Sequence, residues 1–202
     1  MLDERQMNPN PVEEFRSWFR MATDQRPGDW YDPTAMTLAT SGKDGTVTAR
    51  LVLLKDFGEE GFVFYTNYDS RKGRQLSENP RAALVFHWPY LQRQVRVEGT
   101  VTRVSRAESE QYFWSRPRAS QLAAAISAQS GVIADRKFLD DRFEALQQSL
   151  GNQPVPLPEH WGGYRLRAEK IEFWEHRDNR LHDRICYSRS PAGGWVLERL
   201  AP

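Results

Sequence analysis

The chain reads as a mainly β protein of the α+β class, a closed or split antiparallel β-barrel with a helical excursion. Three observations predict this. Short segments rich in β-branched and aromatic residues fill 35–104 and return after 163. Helical spacing is confined to the start of the chain and to 105–150. Strands and helices do not alternate as βαβ units, so a doubly wound parallel sheet is disfavoured.

The elements follow in order. "NPNPVEEFRSWFRMA" predicts a first helix: Asn10 can cap it, Pro11 suits its first turn, and Glu13 and Glu14 suit its positive end. Val12, Phe15, Trp18 and Phe19 form its apolar stripe. Residues 1–9 read as a flexible N-terminal arm. Strands are expected at 35–40 and 46–55, flanking the turn "SGKDG", and at 61–67, 81–88 and 93–104. A short helix is expected from Ser70 to Asn79-Pro80. Ser105 and Glu108 have capping-box spacing, Pro117 ends the helix they open, a second helix is expected over 121–128, and Asp135 opens a third. After the Pro-rich connector 151–160, strands are expected at 163–176 and 179–187, and a last hairpin crosses "SPAGG" into "WVLERL". All 202 residues fit one domain.

Composition narrows the function. Lys and Arg number 28 against 27 Asp and Glu, a net charge of +1, which argues against nucleic acid or an anionic membrane as the partner. Any anion site must be local. Cys186 is alone, so no internal disulfide forms, and no signal-peptide core or membrane-length apolar run occurs, so a cytoplasmic protein is expected. No nucleophile elbow, dinucleotide fingerprint, P-loop or zinc-protease motif is present, and the four histidines lack metal-ligand spacing, so no metal is expected.

What recurs is local positive charge. In "YTNYDSRKGRQ" (65–75), Arg71 and Lys72 sit in the first turn of a helix that Asp69 or Ser70 can cap. Basic residues there oppose the helix dipole, and an anion would resolve the conflict. Arg50 and Lys55 bracket four aliphatic residues, 51–54, that read as fully buried. Tyr112, Arg116 and Ser120 fall four apart and could cradle a phosphate, although Pro117 interrupts the helix. Gln94, Arg96 and Glu98 share a polar strand face, and Trp174 reads as core or interface. In "NRLHDRICY", Arg180, His182 and Arg184 would line one face of a strand, with Asp183 on the other. Each stretch alone also suits a solvated strand edge or helix start. Together, with Arg118, they are more cations than one phosphate needs, so two phosphorylated ligands are expected, and the 180–184 row is expected to face electron-rich ligand groups.

These stretches resemble the pyridoxine (pyridoxamine) 5'-phosphate oxidases. "RLVLLK", "FVFYTNYDSRK", "RQVRVEG", "YFWSRPRASQ", "AQS", "PLPEHWGGYRL", "IEFW" and "RLHDR" occur in that family's order from residue 32 to the C-terminus. The resemblance implies an FMN-binding split barrel and a homodimer, with 163–202 completing the dimer and active site. It implies that Arg50, Leu51, Val52, Leu53, Leu54 and Lys55 lie along the flavin, that Tyr65, Thr66, Arg71 and Lys72 hold FMN and its phosphate, and that Gln94, Gln129, Ser130, Trp174 and Arg184 complete the flavin site, several of them from the partner subunit. Lys55, Tyr112, Arg116 and Ser120 would bind the substrate phosphate, and Arg180, Leu181 and His182 the substrate ring, with Arg180 and His182 at the reacting carbon. The implied reaction moves a hydride from C4' of pyridoxine or pyridoxamine 5'-phosphate to flavin N5. O2 then takes the electrons, giving pyridoxal 5'-phosphate and H2O2, with NH3 released from the amine. The chain departs from the family at Ala123, Ala124 and Ala125, where members often carry Gly-Ala-Trp, which predicts altered packing and substrate fit there. An FMN oxidase of phenazine synthesis, or an FMN or pyridoxal phosphate carrier without turnover, are the alternatives on the same fold.

Overall fold

The structure is a computed structural model that describes residues 1–202. Its first helix, α1 (Pro11–Asp24), begins where the Asn10 side chain accepts from the Val12 N–H at 2.9 Å. The buried stripe Val12, Phe15, Trp18 and Ala22 faces a curled antiparallel sheet.

That sheet is built from β1 (Ala35–Ser41), β2 (Val47–Leu53), β3 (Asp56–Gly58), β4 (Gly61–Asn67), β5 (Arg81–Trp88), β6 (Arg93–Arg103), β7 (Trp161–Glu175), β8 (Asp183–Arg189) and β9 (Trp195–Arg199). The path runs β2-β1-β5-β6-β7-β4-β3, and β3 continues the chain from β2. The Lys55 N–H donates to the Val63 carbonyl at 2.9 Å, so the two ends of the path meet and the sheet closes on itself. β7 is shared. Its first half pairs with β4, its second half with β8, and β6 runs along its whole length. A register shift at Glu98/Gly99 bends the β6–β7 pair. Only glycine fits there, since a Cβ on Gly99 would come within 2.0 Å of the Arg167 carbonyl oxygen.

Phe15 reaches into the barrel and meets the rings of Phe57, Phe62 and Phe86 edge-on, each at 4.9 Å between centroids. The helical excursion comprises α3 (Arg106–Ser115), α4 (Arg118–Ile126) and α5 (Lys137–Leu150). It has a small core of its own, in which Phe113, Leu122 and Val155 gather around Trp161 at the start of β7. The remaining helix, α2 (Arg71–Glu78), leaves the end of β4. No helix is long and apolar enough to cross a membrane.

Three expectations need correction. The aliphatic run 51–54 is not fully buried: Leu51 is 72% and Leu53 40% exposed, and only Leu54 is inside. β2 lies at an end of the strand path, and no layer of this chain covers its outer face. The helix expected over 121–128 is α4, because Pro117 with its fixed φ starts the turn directly after itself. The strand expected over 179–187 begins only at Asp183. Asn179 and Arg180 both take left-handed backbone angles, φ 56° and 61°, and strand alternation cannot hold through them.

Phe15→Ala removes the ring on which three others pack. It should lower unfolding free energy by about 3–5 kcal/mol, read from urea denaturation midpoints against wild type.

Candidate active site

One cavity collects most of the cationic stretches. Its volume is about 480 Å³. Leu51, Val52, Leu53 and Lys55 wall it from the end of β2, Tyr65 and Thr66 from β4, and Lys72 from α2. Tyr112 comes from α3, Arg116 and Ser120 from the α3–α4 corner, and Gln129 from the loop beyond α4.

Local structure aims these groups. Ser70 caps α2, its hydroxyl accepting from the Gly73 N–H at 3.3 Å, and with the Arg71 N–H given to Ser130 the positive end of the helix keeps the Lys72 N–H beside the Lys72 amine. The Lys72 amine is buried and donates to Gln129 Oε1 at 2.7 Å and to the hydroxyl of Thr66 at 3.2 Å. Burial, with the Arg50 charge nearby, holds its pKa down to about 8. Arg50 donates to the Leu38 carbonyl and to the hydroxyls of Thr40 and Thr48. Tyr65, Tyr112 and Trp161 stack as three near-parallel rings, with Tyr65 and Tyr112 4.0 Å apart. Gly163 allows this, because a Cβ there would lie 2.8 Å from the Tyr65 ring. Arg116 lies over Trp161 at 4.9 Å, and its Nη1 is buried with no partner. Burial pushes the Arg116 pKa down, against the nearby Tyr112 hydroxyl.

The remaining residues singled out from the sequence fall elsewhere. Leu54 is in the core. Arg71 is exposed, and its backbone N–H donates to the Ser130 hydroxyl at 3.2 Å. Arg118 is occupied by the carbonyls of Gly151 and Gln153 after α5, so it is not a free cation. Ala125 borders a neighbouring cavity on the far side of Gln129. A second group lies across β6, β7 and β8, where Gln94, Trp174 and Arg184 are register partners. His182 packs on Trp174 at 4.7 Å, and Arg180 and Leu181 are exposed in the turn before β8. The row expected at 180–184 is therefore not a strand face. Arg184 is answered by the Glu172 carboxylate, with bonds of 3.1 and 3.0 Å, rather than left to a ligand.

None of this second group lines the cavity. Thr66 of the cavity pairs with Gly162, and Gln94 with Trp174, twelve residues further along β7. That is about 40 Å of strand at 3.3 Å per residue. Trp161 was missed in the sequence reading as a wall of the site; its place before Gly162-Gly163, where a neighbouring ring can lie flat, is the signal for it.

Known proteins resemble this chain in sequence and fold. A family model described as pyridoxamine 5'-phosphate oxidase matches residues 29–150, and one described as the pyridoxine 5'-phosphate oxidase C-terminal dimerisation region matches 161–202. The chain is similar to the pyridoxine/pyridoxamine 5'-phosphate oxidase of Gloeothece citriformis, 54% identical over 100% of this chain and 92% of that protein. It is 51% identical to the Salinibacter ruber protein of that name, over 100% and 93%. Among solved structures, PhzG from Burkholderia lata in complex with tetrahydrophenazine-1-carboxylic acid superposes with a TM-score of 0.91 at 27% identity, over 100% of this chain and 97% of that one. A pyridoxamine 5'-phosphate oxidase-related, FMN binding protein from Nostoc punctiforme shares the fold at 19% identity and TM-score 0.75, over 97% and 100%. With both family models matched in chain order and half the residues identical to proteins of one name, the chain belongs to the pyridoxine/pyridoxamine 5'-phosphate oxidase family of enzymes.

Proposed function

We propose that the protein is an FMN-dependent oxidase that converts pyridoxine or pyridoxamine 5'-phosphate to pyridoxal 5'-phosphate, reducing O2 to H2O2 and releasing NH3 from the amine. The observation that carries this is the charge state of the cavity. Lys55, Lys72 and Arg116 line it, the Arg50 charge acts on Lys72 from behind, and none of the four forms an ion pair with a carboxylate. Lys72 is buried and Arg50 and Arg116 are half-buried, and cations so placed without carboxylates favour an anion from outside.

The residues fit two phosphates. The start of α2, with Lys72, Gln129 and the Ser130 hydroxyl that the Arg71 N–H holds, suits the FMN phosphate. The orphaned Nη1 of Arg116, with Tyr112, Ser120 and Lys55, suits the substrate phosphate. When bound, FMN accepts the hydride and passes electrons on to O2. The protein's part is to orient and exclude water. Leu51, Val52 and Leu53 offer an apolar shelf, and the Tyr65–Tyr112–Trp161 stack closes one end.

Arg180 and His182 complete the site from a partner subunit. They do not line their own cavity and follow the far end of β7 from it, the exposed Leu51 and Leu53 need a cover, and the matched dimerisation region spans 161–202. The likeness to PhzG keeps a phenazine-type substrate as a second reading, which substrate comparison separates. A cytoplasmic setting fits the lone, buried Cys186.

Lys72 gives FMN binding a pH dependence. A phosphate dianion raises the depressed pKa, so binding takes up a proton only where the free protein's Lys72 is neutral. Affinity is then level below about pH 8 and falls by up to about tenfold per pH unit above it. FMN fluorescence titrations across that range check this, and Lys72→Met should flatten the profile. Arg116→Ala should lower kcat/KM for pyridoxine 5'-phosphate by roughly 10–100-fold while sparing unphosphorylated pyridoxine, since a charged hydrogen bond contributes about 1.5–3 kcal/mol. Peroxide release with both substrates measures it; an equal loss on both would remove Arg116 from the phosphate site. Finally, Arg116→Ala and His182→Ala proteins, each impaired alone on pyridoxine 5'-phosphate, should regain activity on it when unfolded and refolded together. A mixed dimer then holds one site with an intact cavity and an intact partner strand. No regain would mean that each site is built from one chain.

A further inference from the structure

The turn that carries Arg180 and His182 is held in a costly shape. Two consecutive non-glycine residues, Asn179 and Arg180, sit in the left-handed region, which costs about 1–3 kcal/mol each and persists only where surrounding contacts enforce it. Those contacts converge on Asp183. Its Oδ2 accepts from Arg177 Nε at 2.6 Å and from the Leu2 N–H at 3.1 Å, and its Oδ1 accepts from Arg199 Nη1 at 2.6 Å. The other end of the Arg177 guanidinium is fixed by Glu175 at 2.7 Å. Arg199 is anchored in turn by the Leu2 carbonyl at 2.6 Å and by Glu4. Burial opposes the charge on Asp183, yet these donors outweigh it and hold its pKa below the ordinary value.

Arg177 is where the brace meets the site. Its backbone N–H donates to His182 Nδ1 at 3.1 Å. With Nδ1 accepting, the neutral ring carries its proton on Nε2, and that edge remains to donate to a ligand. Trp174 and His176 pack on the same ring at 4.7 and 5.1 Å and limit its rotation.

We propose that Asp183 is a positioning residue: by clamping Arg177 it holds the 176–182 turn in its strained shape and fixes His182 as the Nε2–H tautomer. Asp183 does not touch substrate in this scheme. The proposal rests on the reading above only in giving His182 a substrate to face.

The test is Asp183→Asn in the FMN-loaded protein, with Arg177→Lys as a second variant. Lysine preserves the backbone donor and one charge contact but cannot span Glu175 and Asp183 together. Long-range 1H–15N spectra of the imidazoles, assigned with His182→Gln, read the tautomer. Wild type should show His182 as a single Nε2–H form. Both variants should show it averaged between forms, with amide exchange over 176–182 faster by about tenfold or more. FMN affinity should stay within twofold of wild type, while flavin reduction by pyridoxine 5'-phosphate slows by roughly 10–100-fold. Glu4→Gln, which trims only an outer anchor, should leave the His182 spectrum unchanged. An unaltered His182 spectrum and unaltered turn exchange in folded Asp183→Asn would overturn the proposal, and if that variant does not fold, Arg177→Lys decides by the same two readouts. If wild-type flavin is not reduced by the substrate, the functional reading fails, and the imidazole spectrum still decides the role of Asp183.

Discussion

Positive charge is handled in two opposite ways in this molecule. In and behind the cavity, Lys72 and Arg50 are satisfied by hydroxyls, a carbonyl and an amide oxygen, and Arg116 keeps a buried nitrogen with no partner. On the C-terminal strands, Arg177, Arg184 and Arg199 are each matched to carboxylates at 3.0 Å or less. Neutral oxygens orient a cation without cancelling it, so the cavity stays electropositive, whereas the strand pairs spend their charge on rigidity. The fold follows this division. α2 and the α3–α4 corner bring uncompensated charge to one end of β7, and the β7–β8–β9 ladder builds a stiff edge at the other.

Much of this is legible in the sequence because it depends on near neighbours. Asn10, Ser70 and the Ser105–Glu108 capping box fix three helix starts through bonds spanning two or three residues. Alternation in 93–98 puts Val95 and Val97 in the core, as strand geometry requires. Long-range partners escape such reading. The aliphatic run at 51–54 looks buried because its cover is not encoded beside it. The row at 180–184 looks like a strand because alternation carries no sign of two left-handed residues. The bond from Leu2 to Asp183 joins residues 181 positions apart, which no local pattern announces.

The site was legible in parts for the same reason. Runs such as "YTNYDSRK" place cations next to a cap, and the structure brings Lys72, though not the exposed Arg71, into one cavity with Tyr112, Arg116 and Ser120. What the cavity excludes is equally informative. Gln94, Trp174 and Arg184 are register partners at the far half of β7. Ala123, Ala124 and Ala125 do not line the cavity, and Ala125 borders a different hollow.

The ties from residues 2 and 4 to 183 and 199 also bear on the order of folding. The β1–β2 and β5–β6 hairpins close locally, and even the barrel's distant pairings, β6–β7 and β4–β7, span fewer residues than the ties at the N-terminus. The clasp instead closes loops of 181 to 197 residues, an entropic cost met only after the barrel has drawn those segments together. The edge that carries His182 is thus expected to be among the last parts to consolidate and the first to loosen, so gentle denaturation should silence the enzyme before its barrel melts.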